Sequence, residues 1–211
     1  MPQKTKVVIF DLGGVLINLD IHKTLDAFKK LIGHGFDILE EAQLNQSFYM
    51  EYEKGIISCE QFREHIRGLT ERPLSDQEID KAWNAMLLDI PQDRFSWIEA
   101  LKKDYQLCIL SNTNVIHVES FHQIFGEQTP YKHPSEIFDQ LFYSCYMGKR
   151  KPDSDIYTEV LEKMNIMPEE AVFYDDKQEN IDTAVSLGIK GVLVERNFLT
   201  KKMLPGSNGR A

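Results

Sequence analysis

One short apolar run, residues 6–10 (KVVIF), is followed by about eighty residues that read almost wholly as helix, from Ile21 to Leu101. A crossover between neighbouring parallel strands needs only a dozen or so residues. The gap must therefore hold more than a crossover, and a helical unit inserted after the first strand is the simplest reading. Beyond it, four further runs alternate with helical patterns: residues 105–110 (YQLCIL), 140–144 (QLFYS), 171–174 (AVFY) and 189–195 (IKGVLVE). They are rich in β-branched and aromatic residues and do not alternate strictly between apolar and polar. Such runs suit a parallel sheet covered on both faces. The expected fold is α/β: a Rossmann-like parallel-sheet core of residues 1–17 and 91–211, with a small α-helical cap domain of residues 18–90.

The helical segments carry their own punctuation. Ser58 with Gln61 and Ser75 with Glu78 each fit a capping box. Apolar residues recur at helical spacing at Leu25, Phe28, Leu31 and Ile32, and again at Ile79, Ala82, Trp83 and Met86. Ile156, Val160, Leu161 and Met164 form a third such face. A fourth, with Ile181, Ala184 and Val185, stops at Gly188. Residues 204–211 (LPGSNGRA) read as a loose tail.

Charge narrows the function. Lys plus Arg number 24 and Asp plus Glu 33, a net charge of −9. Such a chain repels nucleic acid and anionic membrane, so neither is expected as a partner. An anionic substrate would need local positive charge, for instance from a metal ion. The three cysteines, Cys59, Cys108 and Cys145, are odd in number and form no C-x-x-C pair, which argues against a disulfide framework or a thiolate zinc site. The first residues do not read as a signal peptide, and no window approaches a membrane span. A cytoplasmic protein, monomeric or a weak homo-oligomer, is the expectation.

The chemistry stands at the carboxyl ends of the strands, where open α/β sheets bind ligands. The first run is followed by Asp11, the second by Ser111 and Asn112, the third shortly by Lys151, and the fourth by Asp175 and Asp176. Each alone suits a turn or a helix cap. Together they suit phosphoryl transfer. A carboxylate can attack phosphorus and split one difficult step into two. It needs its charge and the phosphate's neutralised, and Mg²⁺ is held by carboxylates, waters and substrate oxygens. A lysine and hydrogen-bond donors then hold the phosphate oxygens. The six histidines form no metal-binding pair, no G-x-S-x-G elbow is present, and no G-x-x-x-x-G-K-[ST] loop is present.

FDLGGVL, LSNTN, GKRKPD and VFYDDKQEN resemble the four ordered motifs of the haloacid dehalogenase superfamily, over nearly the whole chain. The resemblance implies a helical cap between the first and second motifs. It implies Asp11 as the nucleophile that forms an aspartyl-phosphate, and Ser111 and Lys151 as phosphate-binding groups, with Asn112 and the amide of Gly14 beside them. It implies a Mg²⁺ site of Asp11, the Gly13 carbonyl, Asp176 and, in support, Asp175. More narrowly, the motifs look like the bacterial α-D-glucose-1-phosphate phosphatases and the phosphatase domain of epoxide hydrolases. The implied reaction is hydrolysis of a small phosphorylated metabolite, such as a sugar phosphate.

One position departs from the pattern. The superfamily usually has a second Asp in its first motif, acting as general acid and base, where this chain has Gly13. Either the substrate's leaving oxygen needs little protonation, or a water held by Asn18 or Asp20 stands in. Alternatively the chain is a weakened, phosphate-binding module. A metal-independent haloacid dehalogenase is a further alternative, though paired Asp175 and Asp176 would repel its carboxylate substrate. In the cap, residues 48–57 (FYMEYEKGII) offer Glu51, Tyr52 or Lys54 to a substrate, unless Phe48 and Tyr52 only pack the cap.

Overall fold

The computed structural model describes residues 4–33 and 36–194. Five strands, β1 (Val7–Phe10), β2 (Gln106–Ser111), β3 (Gln140–Tyr143), β4 (Ala171–Asp175) and β5 (Lys190–Leu193), form one parallel sheet in the order β3-β2-β1-β4-β5. All five apolar runs become strands, with ends shifted by a residue or two. Ser111 and Asp175 are the last residues of their strands rather than the first beyond them. Glu195, the end of the last expected run, lies outside the described residues, as do His34 and the expected tail.

Ten α-helices accompany the strands among the described residues. Between β1 and β2 lie α1 (Ile21–Ile32), α2 (Ile38–Leu44), α3 (Gln46–Glu53), α4 (Cys59–Arg67), α5 (Asp76–Asn84) and α6 (Gln92–Leu101). After β2 come α7 (Val115–Gln128), α8 (Ser144–Met147), α9 (Ser154–Met164) and α10 (Gln178–Ser186). Both expected capping boxes form, at Ser58 and Ser75. Met86 falls outside the helix its spacing suggested: α5 stops at Asn84, and the Met86 N–H is taken by the Thr24 hydroxyl at 3.0 Å. Asp153 precedes α9 but makes no capping bond, and its carboxylate pairs with Lys54 at 3.4 Å.

The sheet buries both faces because successive side chains point opposite ways. Val8, Phe10, Ile109 and Tyr174 pack on one face against Trp97, Ile98 and Phe121 of α6 and α7. Val7, Ile9, Leu110 and Phe173 pack on the other against Ile156, Val160 and Ile181 of α9 and α10. Each such side chain contributes about 1.5–3 kcal/mol by leaving water.

A third cluster lies among the helices between β1 and β2. Phe28, Tyr52, Phe62, Ile66 and Ile79 form it, joined by Ile116 of α7. Tyr52 stacks on Phe62 with ring centroids 4.5 Å apart. The two chain segments leading into and out of this helical region are paired with each other. Asn18 N–H donates to Asp89 O at 2.9 Å, Leu88 N–H to Asn18 O at 3.0 Å, and Asp20 N–H to Met86 O at 2.9 Å. No helix among the described residues is long and apolar enough to cross a membrane.

Candidate active site

The parallel register places Asp11, Ser111 and Asp175 at neighbouring strand ends, because β1 lies between β2 and β4. Lys151 reaches them from the segment between α8 and α9. Its ammonium group lies 2.8 Å from Asp11 Oδ1 and 2.6 Å from Asp175 Oδ2. The ammonium also lies 5.2 Å from the centre of the Phe173 ring. Lys151 is 1% exposed, Asp175 0% and Asp11 8%, so the network is cut off from bulk water.

Asp175 is engaged on both oxygens. Oδ2 takes Lys151, Oδ1 accepts the Lys177 N–H at 2.8 Å, and the Asn180 amide donates to both at 2.9 and 3.0 Å. Asn180 is held in turn by Tyr157, whose hydroxyl donates to the Asn180 carbonyl at 3.1 Å. Asp175 therefore positions Lys151. Asp176 is half-buried and lies against Gly14: a Cβ at Gly14 would stand 2.7 Å from Asp176 Oδ2, and Gly14 has φ +74°. Glycine is required there for both reasons. The Asn112 side chain is also committed. Its amide donates to Lys151 O at 2.7 Å and its oxygen accepts Lys151 N–H at 2.8 Å, a two-point clamp on the lysine's backbone. Ser111 is buried, 3% exposed, at the end of β2.

The electrostatics show an excess of negative charge. Burial pushes the Asp11 carboxyl up to about 6, and Asp175 adds to this while Lys151 opposes it. Burial and then Asp175 also raise Asp176. Burial alone would lower Lys151, but the Asp11 and Asp175 carboxylates outweigh it and hold the ammonium above its ordinary value. Three carboxylates thus face one ammonium. Oxygens of Asp11, Asp175 and Asp176 all lie within 4.8 Å of one another. An all-oxygen carboxylate set of this kind fits a hard divalent cation such as Mg²⁺.

A cavity of about 360 Å³ adjoins this site and reaches into the helical region; Asp11, Lys151, Asp175 and Asp176 lie beside it rather than in its lining. Gly13, Ser111 and Asn112 line one end, and Leu39, Tyr49 and Trp83 the other. Leu19 fills the space beside Gly13: a Cβ added at Gly13 would stand 2.6 Å from Leu19 Cδ1. Asn18 and Asp20 each bond within the protein around the entry to the helical region. Asn18 bonds Asp89 and Arg94, and Asp20 caps α1 by accepting His22 N–H. Among residues 48–57, Tyr52 both lines the cavity and packs on Phe62, Lys54 pairs with Asp153, and Glu51 is exposed.

Some site residues escape sequence reasoning. Asn180 stands in the quoted VFYDDKQEN stretch, but nothing in a lone Asn says that it holds Asp175. His117 is another case. Its Nε2 donates to the Trp83 carbonyl at 3.2 Å, its Nδ1 accepts from Asn114 at 3.1 Å, and its ring stacks on Trp83 with centroids 5.1 Å apart. Burial lowers its pKa to about 4, so it is a neutral tie between α5 and α7.

Comparison with known proteins agrees with this geometry. Residues 5–188 match the model of the haloacid dehalogenase-like hydrolases. The chain is 28% identical over 187 residues to the D-ribitol-5-phosphate phosphatase of Bacteroides thetaiotaomicron, covering 88% of this chain and 89% of that one. It is 26% identical over 195 residues to a sesquiterpene phosphatase of Aspergillus oryzae, covering 92% of each. A solved haloacid dehalogenase family enzyme from B. thetaiotaomicron, in complex with magnesium and inorganic phosphate, superposes with a TM-score of 0.82 at 35% identity, covering 92% of this chain and 96% of that one. With its five-stranded parallel sheet, its strand-end carboxylates and this match over most of its length, the chain belongs to the haloacid dehalogenase-like hydrolases.

Proposed function

We propose that this protein is a Mg²⁺-dependent phosphatase of small organic phosphate monoesters, with Asp11 as nucleophile. The observation that carries the reading is the buried Asp11–Lys151–Asp175 network with Asp176 beside it, at the carboxyl ends of adjacent parallel strands. Asp11 and Asp176, with the Gly13 carbonyl and with Asp175 in support, would hold the cation. When bound, it supplies charge neutralisation between carboxylate and phosphate.

Lys151 engages Oδ1 of Asp11 and leaves Oδ2 to attack. The Asp11 oxygen bonds phosphorus, and the ester P–O bond breaks with its electron pair passing to the leaving oxygen, which takes a proton from water. A second water then attacks phosphorus and passes a proton to the hydroxide left by the first. The bond to Asp11 breaks, phosphate is released and the carboxylate is restored. Lys151, Ser111 and the backbone amide of Asn112 stabilise the phosphate oxygens as charge develops. The Gly14 N–H, expected to join them, is taken by the Ile17 carbonyl at 2.9 Å instead. Asn112 fixes Lys151 through its clamp.

Residues 18–90 act as a cap that covers the substrate and excludes bulk water. A cavity covered in this way suits a small phosphorylated metabolite. A sugar phosphate such as glucose 1-phosphate is what the motif resemblance implies, and the relative named D-ribitol-5-phosphate phosphatase supports a phosphorylated polyol. The sesquiterpene phosphatase relative supports an apolar body instead. Phosphate release from acetyl phosphate and alkyl phosphates, with Mg²⁺ and with chelator, tests the core reading. Mg²⁺-dependent release that disappears in Asp11→Asn is expected. Release that survives in Asp11→Asn overturns the assignment of the nucleophile.

A further inference from the structure

The cavity beyond the phosphate site has an apolar wall. Leu19, Ile21, Leu39, Met86 and Leu87 line it, together with the Trp83 ring. Polar residues are present too: Thr113 and the exposed Lys177 stand in the lining with Ser111 and Asn112, and most polar side chains beyond them are already committed to the protein. Thr24 donates to the Trp83 carbonyl at 3.1 Å and accepts the Met86 N–H at 3.0 Å. Glu53 is paired with Arg150, at 3.1 Å from Nε and 3.0 Å from Nη2. Asn114 and His117 satisfy each other and the Trp83 carbonyl. The Tyr52 hydroxyl lies 3.7 Å from Cys59 Sγ. The Tyr49 hydroxyl and the Trp83 indole nitrogen have no hydrogen-bond partner, but both are sealed from solvent, so the rings rather than the polar atoms border the space.

A polyol entering this cavity would lose water from its hydroxyls and gain few bonds in return. Each unpaired buried hydroxyl costs about 1–3 kcal/mol. An apolar body leaves water at a gain instead. The volume, about 360 Å³, lies near the lower end of the ~300–1,000 Å³ usual for small-molecule pockets. Resting on the phosphatase reading, we propose that the substrate is a phosphate monoester with a compact apolar organic body, aromatic or branched hydrocarbon, seated against Leu19, Leu39, Met86 and Trp83. Phosphoryl chemistry occurs at Asp11, beside the Gly13 and Ser111 end of the cavity, and selection occurs at its apolar end.

Two primary alkyl esters isolate the body from the leaving oxygen: 2-phenylethyl phosphate and ribitol 5-phosphate. Acetyl phosphate, which has almost no body, serves as the reference. With Mg²⁺, kcat/KM for the phenylethyl ester is expected to exceed that for the ribitol ester by about tenfold or more. Leu19→Asn and Met86→Gln place polar groups in the wall. Leu19 is 42% exposed, so its replacement spares the fold. Each variant is expected to cut kcat/KM for the phenylethyl ester by about tenfold and to leave acetyl phosphate within about twofold. Equal or faster turnover of the ribitol ester overturns this inference while the phosphatase reading stands. Loss of acetyl phosphate turnover together with the phenylethyl ester, in both variants, also overturns it. No release from any of the three by the unmodified protein overturns the phosphatase reading, and the inference with it.

Discussion

The charged network at the strand ends and the cavity beside it are built on opposite principles. At the strand ends, charge is concentrated and each group is held by another: Lys151 by Asp11 and Asp175, Asp175 by Asn180 and the Lys177 amide, and Lys151's backbone by Asn112. At the helical end, polar groups are turned into the protein and the wall is left to Leu19, Leu39, Met86 and Trp83. The first end is rigid because a buried ion network tolerates no slack. The second, on the inference above, selects by exclusion, since it offers an incoming hydroxyl few free partners. Chemistry and selection can then be altered separately, and each substitution below is a way to make that separation fail.

The largest effect is expected at Asp11. Asp11→Asn should lower phosphate release by about 10⁴-fold or more for every ester alike, because the nucleophile is common to all. A loss that differs widely between apolar and polar esters would break the separation.

Next comes the lysine. Lys151→Met leaves Asp11 and Asp175 facing each other without a counter-charge. Breaking a buried pair in this way typically costs about 3–5 kcal/mol. Urea unfolding with chelator present should show a loss of that order in Lys151→Met, and adding Mg²⁺ should return part of it. No loss of stability would mean that the network is not held as tightly as its distances imply.

His117 gives a pH test of the other end. Its folded pKa, about 4, lies below the ordinary histidine value of 6.5. Between these values the unfolded chain binds the proton and the folded chain does not, so stability rises with pH. The contribution is fully present above about pH 6.5 and is lost as pH falls toward 4. It amounts to at most about 3–4 kcal/mol. His122, half-buried and also lowered to about 4, acts in the same window, and Asp11, raised to about 6, acts in the opposite sense. The difference between the unmodified protein and His117→Gln isolates the one histidine. It should shrink as pH drops from 7 to 4, when thermal unfolding is followed at each pH.

The smallest expected change is a gain. Gly13→Asp with Leu19→Ala clears Leu19 Cδ1 from the added side chain and places a carboxyl where the family usually has its general acid. General acid–base help is worth about 10²–10⁴ in favourable geometry, and a grafted group should recover about tenfold at most. That gain should appear with alkyl phosphates and be absent with acetyl phosphate, whose leaving group needs no proton.

The same contrast explains what the sequence made legible. The charged end was readable because Asp11, Ser111, Lys151, Asp175 and Asp176 each follow or end a short apolar run, and parallel strands bring their carboxyl ends together. The five strands were readable for the same reason. The apolar end was not. Leu19, Leu39, Met86 and Trp83 come from separate segments of the helical region, and an apolar residue that lines a cavity has the same spacing as one that fills a core. Tyr52 shows the ambiguity, since it does both. Asn180 and His117 were missed because their roles depend on single hydrogen bonds across the fold, to Asp175 and to the Trp83 carbonyl. The exchange of Gly13 for an acid was visible, but that Leu19 occupies the neighbouring space was not.

The central claim is that phosphorus passes through Asp11. Mixing the Mg²⁺-loaded protein with excess acetyl phosphate, quenching in acid within milliseconds and measuring the mass of the peptide carrying Asp11 tests it directly. The account predicts that this peptide gains one phosphoryl group, that the added mass is lost on treatment with hydroxylamine, and that Asp11→Asn shows neither. Release of phosphate with the label on another residue, or undiminished release in Asp11→Asn, would contradict it.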